Sequence, residues 1–310
     1  MKFAFVFPGQ GSQSVGMMQG YGGLAAVREV FDEASSVLGY DVWKLVEQGP
    51  AEELNSTVNT QPVMLVAGYA VYRAWRAAGG PEPDLVAGHS LGEYTALVVA
   101  GVLAFRDAVP LVRFRAQAMQ EAVPIGEGAM AAVLGLDDDS LRAACSEAAQ
   151  GQVVEPVNFN APGQVVIAGH KAAVERGMAA AKARGAKRTV MLPVSAPFHS
   201  SLLKPAADRL AAHLAGVTIN APRMPVVNNV DVAIESEAQR IRNALARQAC
   251  NPVRWVEVVR RLAAADVGHV VECGPGKVLA GFTRRIDDRL QGHAIADSRS
   301  LEQTMQALRS

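Results

Sequence analysis

The chain has 310 residues, half of them hydrophobic, with 30 basic and 30 acidic side chains and a formal net charge of zero. That length suits one large domain, or a large domain carrying an insertion, and the balanced charge argues against nucleic acid or a membrane surface as partner, local patches aside. The cysteines, Cys145, Cys250 and Cys273, are scattered without metal-type spacing, the first apolar run is too short for a signal peptide, and no stretch is long enough for a membrane span; a reduced, cytoplasmic protein without a metal is expected.

In chain order, Lys2–Phe7 reads as a buried strand stopped by Pro8-Gly9. Helical patterns follow over 23–38 and 61–78. Asp84–His89 is then a short buried strand, Leu91–Gly101 a nearly uncharged helix, and Asp107–Ala122 another helix. Strand–helix alternation with glycine-rich turns predicts an α/β fold with a mainly parallel sheet. From Gly128 the rhythm changes to β-α-β-β-α-β, ending in "KRTVMLPV", which is the order of a ferredoxin-like unit with its own small core. Helices near 205–215, 236–248 and 253–265, the strand "HVVEC" and a helix from Lys277 complete the chain. The expected organisation is a large α/β domain over 1–126 and 195–310, interrupted by a small ferredoxin-like subdomain over 127–194.

The stretch "AGHSLGEY" places Ser90 between Gly88 and Gly92, at a strand-to-helix turn. Gly-x-Ser-x-Gly in that context is a nucleophile elbow, in which small residues let strand and helix approach and the hydroxyl stands clear of the sheet. The plainer alternative is a serine that caps the helix. A serine nucleophile needs a base, and histidine is the usual one. Of the six histidines, His89 is adjacent in sequence but points elsewhere, His213 sits within a helix, and His170, His269 and His293 lie at strand or turn edges with no supporting feature. His199, in the Pro-flanked loop "VSAPFHSSLLKP", is well placed as the base; packing or capping is its other reading. No acidic partner for it stands out: Asp84 and Glu93 are too local, so a backbone carbonyl is a candidate to orient the ring.

"FPGQGSQ" at 7–13 lacks the third glycine of a dinucleotide fingerprint, since position 14 is serine. Such a loop can instead lend a backbone N–H to an oxyanion, beside the N–H of Leu91. On the helix around 105–123, Arg113 projects away from the apolar face and Arg115 lies at its edge. An arginine there is either paired with a buried carboxylate of the protein or a bidentate clamp for a substrate carboxylate.

"FAFVFPGQGSQSVGM", "NTQPVMLVAGYA", "GHSLGEYTAL", "RAQAMQEAVP", "VNFNAPGQVVIAG", "FHSSLLKPAA" and "VECGPGKVLAGF" together resemble, in order and over essentially the whole chain, the malonyl-CoA:acyl carrier protein transacylases of bacterial fatty acid synthesis. The resemblance implies a hydrolase-like α/β domain with an inserted ferredoxin-like domain. It assigns Ser90 as the acylated nucleophile, His199 as base then acid, and Arg115 as the malonyl clamp. Gln10 and Leu91 would supply oxyanion N–H groups, the carbonyl of Gln248 would hold the His199 ring, and Asn160 would sit in a supporting place near the cleft. It implies ping-pong transfer from malonyl-CoA to an acidic, phosphopantetheinylated acyl carrier protein, with no cofactor, by a monomer. Phe198 departs from the serine of some stand-alone relatives and is similar to the malonyl-selective modules of polyketide synthases. Lys182, Arg184, Lys187 and Arg188 in "KARGAKR" are a candidate rim for carrier protein or CoA phosphate, or simply a solvated helix end. A serine hydrolase or thioesterase on the same elbow is the rival activity, and a non-catalytic carrier-binding scaffold the rival class.

Overall fold

The computed structural model describes residues 2–21, 23–194 and 196–309. Met1, Ser310 and Ser195, at which the expected domain limits fall, lie outside the described residues, as does Gly22. The strands are β1 (Phe3–Phe7), β2 (Leu85–Gly88), β3 (Gly128–Leu134), β4 (Val154–Ala161), β5 (Gln164–His170), β6 (Arg188–Met191), β7 (Val226–Val227), β8 (His269–Cys273) and β9 (Gln291–Ile295). They form two sheets. One runs β7-β2-β1-β8-β9 with every neighbouring pair parallel; the other runs β4-β5-β3-β6 with every pair antiparallel.

The sequence of β1 shows why it lies at the middle of the parallel sheet. All five residues of "FAFVF" are buried, as expected of a strand covered on both faces. Side chains alternate across a strand, so Phe3, Phe5 and Phe7 join one core, where Phe5 meets Trp75 edge-on at 5.3 Å, while Ala4 and Val6 join the core around Trp255 and Val258. The helix carrying Trp75 spans Thr57–Ala77, four residues longer at its start than periodicity indicates, with Pro62 inside it.

The antiparallel sheet keeps the β-α-β-β-α-β order and packs helices Asp138–Ala149 and Lys171–Ala183 around a separate core that includes Val133, Leu141, Ile167 and Val174. Two backbone bonds stitch β4 to the chain before helix Trp255–Ala263: Phe159 N–H to Val253 O at 3.0 Å and Val253 N–H to Val157 O at 2.8 Å. Glu155 of β4 also accepts from Ser201 N (2.8 Å) and Ser201 Oγ (2.7 Å), tethering the loop just past His199.

Elements without a clear sequence signal are the short or half-exposed ones. β7 has two residues, β9 reads "QGHAI" with exposed and half-buried positions, and helices Val42–Gln48, Ala51–Asn55 and Ser298–Arg309 bury only two or three side chains or fewer. Among the described residues no helix is long and apolar enough to cross a membrane.

Candidate active site

The C-terminal ends of β1, β2 and β8 meet at one edge of the parallel sheet, the usual place for ligands in open α/β sheets. Ser90 follows β2 and precedes helix Gly92–Val99, with a left-handed φ of 52°. The flanking glycines are required by contact. A Cβ on Gly88 would lie 1.9 Å from the Gly92 carbonyl carbon, and one on Gly92 would lie 2.0 Å from Phe7 O. The strained turn, a conformation costing about 1–3 kcal/mol for a side-chain-bearing residue, is held from outside: Ser90 N–H donates to Asn229 Oδ1 at 2.7 Å, and Asn229 Nδ2 donates to Gly88 O at 2.7 Å.

His199 also has a left-handed backbone, with φ 65°. Its Nε2 lies 2.7 Å from Ser90 Oγ and its Nδ1 lies 2.8 Å from Gln248 O. A carbonyl can only accept, so Nδ1 carries the proton and Nε2 presents its lone pair to the serine hydroxyl. The tautomer needed for a base is thus fixed by a backbone carbonyl, without a carboxylate. Burial, then the neighbouring Arg115 charge, pushes the His199 imidazole down to about 3.

Arg115 is 1 % exposed, so the edge position on its helix turns inward. Its guanidinium meets neutral oxygens: Nη1 donates to Gln61 Oε1 at 2.6 Å, while Nη2 donates to Gln248 Oε1 at 2.8 Å and to Ser90 Oγ at 3.2 Å. The Tyr94 ring lies 5.3 Å below it, and Nε has no acceptor among the described residues. The protein-carboxylate reading of Arg115 therefore lacks a partner in direct contact. A buried guanidinium bonded only to neutral groups has no counter-ion in direct contact, and its planar fork matches the geometry of a carboxylate. Arg113, by contrast, is half-buried and leans over Tyr40, away from the site.

Gln10 lies in the loop after β1, its side chain donating to Thr57 Oγ1 at 3.1 Å. A Cβ on the preceding Gly9 would meet His89 O at 2.6 Å and Leu91 N at 3.7 Å, so only glycine lets this loop approach the elbow. Neither Gln10 N–H nor Leu91 N–H has an acceptor among the described residues, leaving both open to an oxyanion. Asn160 lies on β4, where its Oδ1 accepts from His89 Nε2 at 2.8 Å. His89 is thereby tied to the small sheet and not to Ser90.

A cavity of about 100 Å3 reaches Ser90, His199, Arg115 and Phe198, and adjoins one of about 270 Å3 that includes Asn160, Gln164 and Val278. Gln10, His89, Asn158 and Leu192 line both, so the two cavities are neighbours on the same side of Ser90 as the antiparallel sheet. A larger open hollow of about 590 Å3 beside Tyr40, Lys44 and Arg113 has no nucleophile–base pair. Of the other histidines, His213 is exposed and stacks on Phe114, His170 accepts from Val153 N, and His269 faces His293.

Three contributors escaped sequence reasoning: Gln61, Asn229 and Glu93. Glu93 does not touch His199, as expected from its closeness to Ser90. Its Oε2 accepts from Gln248 Nε2 at 2.8 Å and from Asn229 N at 2.9 Å. Burial pushes its carboxyl up to about 7. The signal that could have found it is a lone acid in an otherwise uncharged helix.

The acyl transferase domain family model matches residues 4–292. The malonyl CoA-acyl carrier protein transacylase of Escherichia coli K12 is 61 % identical over 295 residues, covering 95 % of this chain and 96 % of the relative. The crystal structure of an acyl-carrier-protein S-malonyltransferase from Burkholderia pseudomallei 1710b superimposes with a TM-score of 0.97 at 64 % identity, over 99 % of this chain and 100 % of the other. A malonyl-transacylase solved with a type II polyketide-synthase acyl-carrier protein gives 0.98 at 55 % identity, over 99 % and 100 %. With a serine–histidine pair at the elbow and this likeness along nearly its full length, the chain belongs to the acyl transferase family.

Proposed function

We propose that this protein transfers the malonyl group from malonyl-CoA to the phosphopantetheine thiol of acyl carrier protein, through a malonyl ester on Ser90, in the service of fatty acid synthesis. The observation that carries the reading is the convergence on one atom: Ser90 Oγ lies 2.7 Å from the unprotonated nitrogen of His199 and 3.2 Å from Nη2 of Arg115. A nucleophile, a base and a carboxylate-binding group thus share one small cavity.

Malonyl-CoA enters with its free carboxylate on Arg115. Ser90 Oγ attacks the thioester carbon as its proton passes to His199 Nε2, and the oxyanion turns to the N–H groups of Gln10 and Leu91, donors that typically contribute about 3–4 kcal/mol each. The C–S bond breaks, and the CoA thiolate leaves with the proton from His199. The carrier thiol then gives its proton to His199 and attacks the serine ester; the acyl C–O bond breaks, and Ser90 Oγ takes the proton back from His199. Arg115 is the second cause of the low basicity of His199. A carboxylate seated on the guanidinium offsets that repulsion, so the substrate that carries the anion also strengthens the base.

The test is the intact mass of the protein after incubation with malonyl-CoA. One malonyl adduct, absent in Ser90→Ala, is expected; steady release of free malonate without an adduct would instead favour the hydrolase. The buried Phe198 in the cavity wall, together with the likeness to a malonyl-transacylase solved with a polyketide carrier, favours polyketide synthesis as a second reading of the pathway. Transfer rates to fatty-acid and polyketide carriers, measured side by side, separate the two. The cytoplasm is the proposed location.

A further inference from the structure

Glu93 is the only charged residue between Leu91 and Gly101, and it is 2 % exposed. Helices seldom bury a lone carboxylate, because taking the charge out of water is costly unless an opposite charge and hydrogen bonds meet it. The hydrogen bonds are the two that converge on its Oε2, from Gln248 Nε2 and Asn229 N. The opposite charge is Arg115, which acts on Glu93 and is acted on by it without direct contact. Between the two lies one side-chain amide. Gln248 gives its N–H to Glu93 and its oxygen to Arg115 Nη2, at 2.8 Å on each side.

We propose that Glu93 is a positioning residue that tunes acyl specificity: it is the counter-charge of Arg115 across the Gln248 amide, and it both aims the clamp and limits how tightly the clamp holds a carboxylate. The aim follows from polarity. An amide donor is drawn to the carboxylate, so Gln248 must present its oxygen to the guanidinium and hold Nη2 over Ser90 Oγ. The limit follows from Coulomb's law, since a second anion behind the guanidinium repels an arriving one. A clamp moderated in this way does not trap the malonyl group, which must leave again on the carrier. The proposal rests on the malonyl reading of the site above.

Because both N–H bonds land on a single oxygen, Glu93→Gln can keep them with its carbonyl and remove the charge alone. The measurement is equilibrium binding of malonyl-CoA and acetyl-CoA at pH 8 to proteins that also carry Ser90→Ala, with inhibition by free malonate measured on the acylating forms. In Glu93→Gln the malonyl-to-acetyl affinity ratio is expected to rise about tenfold, the size of one pKa unit of interaction between partly screened charges, and malonate to inhibit correspondingly better. The exchanged pair Glu93→Gln/Gln248→Glu, which seats the carboxylate directly on Arg115, should lower the same ratio below that of the parent. A ratio unmoved by Glu93→Gln, or both affinities falling together, would overturn the proposal and leave Glu93 a merely structural acid. If either variant fails to fold, as judged by circular dichroism, the other still decides the sign. Failure of malonyl-CoA to acylate the wild type would refute the functional reading instead; direct equilibrium binding of free malonate to the wild type and to Glu93→Gln, which needs no acylation, would still test Glu93.

Discussion

In the parallel sheet, β1, β2 and β8 are buried along their whole length, whereas β6 at the edge of the antiparallel sheet has both end residues exposed. The parallel region and its helices supply Ser90, Arg115, Gln61, Glu93, Asn229 and Gln248, all tied into one hydrogen-bonded network, with His199 locked onto it by a loop. The antiparallel region supplies cavity wall, through Met130, Asn158 and Leu192, and an exposed basic margin at Lys182, Lys187 and Arg188, beside an Arg184 paired with Glu147. Atoms that must meet within tenths of an ångström come from a region where packing leaves them one position. At the margin of the antiparallel region the charges stay solvated, where an ion pair is weak.

That contrast can be broken at its centre first. Ser90→Ala should abolish the acyl adduct while the circular dichroism spectrum stays native; an adduct that persisted would mean another nucleophile. His199→Ala should slow acylation by about 10²–10⁴-fold, the usual contribution of a positioned base, and near-normal rates would remove His199 from the proton path. Arg115→Ala truncates one partner of a buried charge pair at a cost of about 2–5 kcal/mol, so kcat/KM for malonyl-CoA should fall about 30- to 5,000-fold. Acetyl-CoA, with no carboxylate, should hold or gain rate. Arg115→Lys should restore only part of the malonyl rate, because an ammonium keeps the charge and loses the planar fork. Equal losses toward both thioesters would make Arg115 a structural residue.

At the margin the effects should be smaller and of a different kind. Reversing Lys187 and Arg188 to Glu should slow transfer to the carrier about three- to tenfold, as expected for two exposed charges, with acyl-enzyme formation nearly untouched. Equal loss in both half-reactions would place the patch on CoA or in the fold.

A pH experiment sharpens the same comparison from inside the buried network. The carboxyl of Glu93 is raised from 4.5 to about 7 in the folded protein, so between these values the folded state holds a proton that the unfolded state has lost. Its contribution to stability is present below pH 4.5 and is lost as pH rises through about 7. Glu93→Gln has no such loss, so its stability relative to wild type should improve from pH 5 to pH 8 in urea titrations. A difference that stays flat across that range would show that Glu93 is not buried as described.

The central strands of the parallel sheet, the β-α-β-β-α-β order of the antiparallel one and the Ser90 turn were legible because each rests on local pattern. Five consecutive apolar residues, a change of period after Gly128, and two glycines flanking a serine are all properties of neighbours in the chain. Helix periodicity also placed Arg115 on an apolar edge, yet could not tell an internal ion pair from a clamp, since that depends on what packs opposite. Gln10, Gln248 and Asn160 entered only through family resemblance; nothing in "ARQAC" marks a carbonyl that will orient a histidine. Glu93 lies too near Ser90 in the chain to serve His199, and its hydrogen bond runs instead to Gln248, 155 positions away in the chain.

The sequence by itself therefore determined the strongly patterned elements, their order and the strained turn, because helix and strand periods and glycine's backbone freedom act over a few residues; the short or half-exposed elements, such as β7 and β9, were left to tertiary packing. Only the tertiary structure decided which of six histidines meets the serine, which tautomer it takes, and that the buried arginine faces neutral oxygens with its counter-charge one amide away. Those relations depend on distances between residues far apart in the chain, and a close-packed core fixes such distances only after every element has docked.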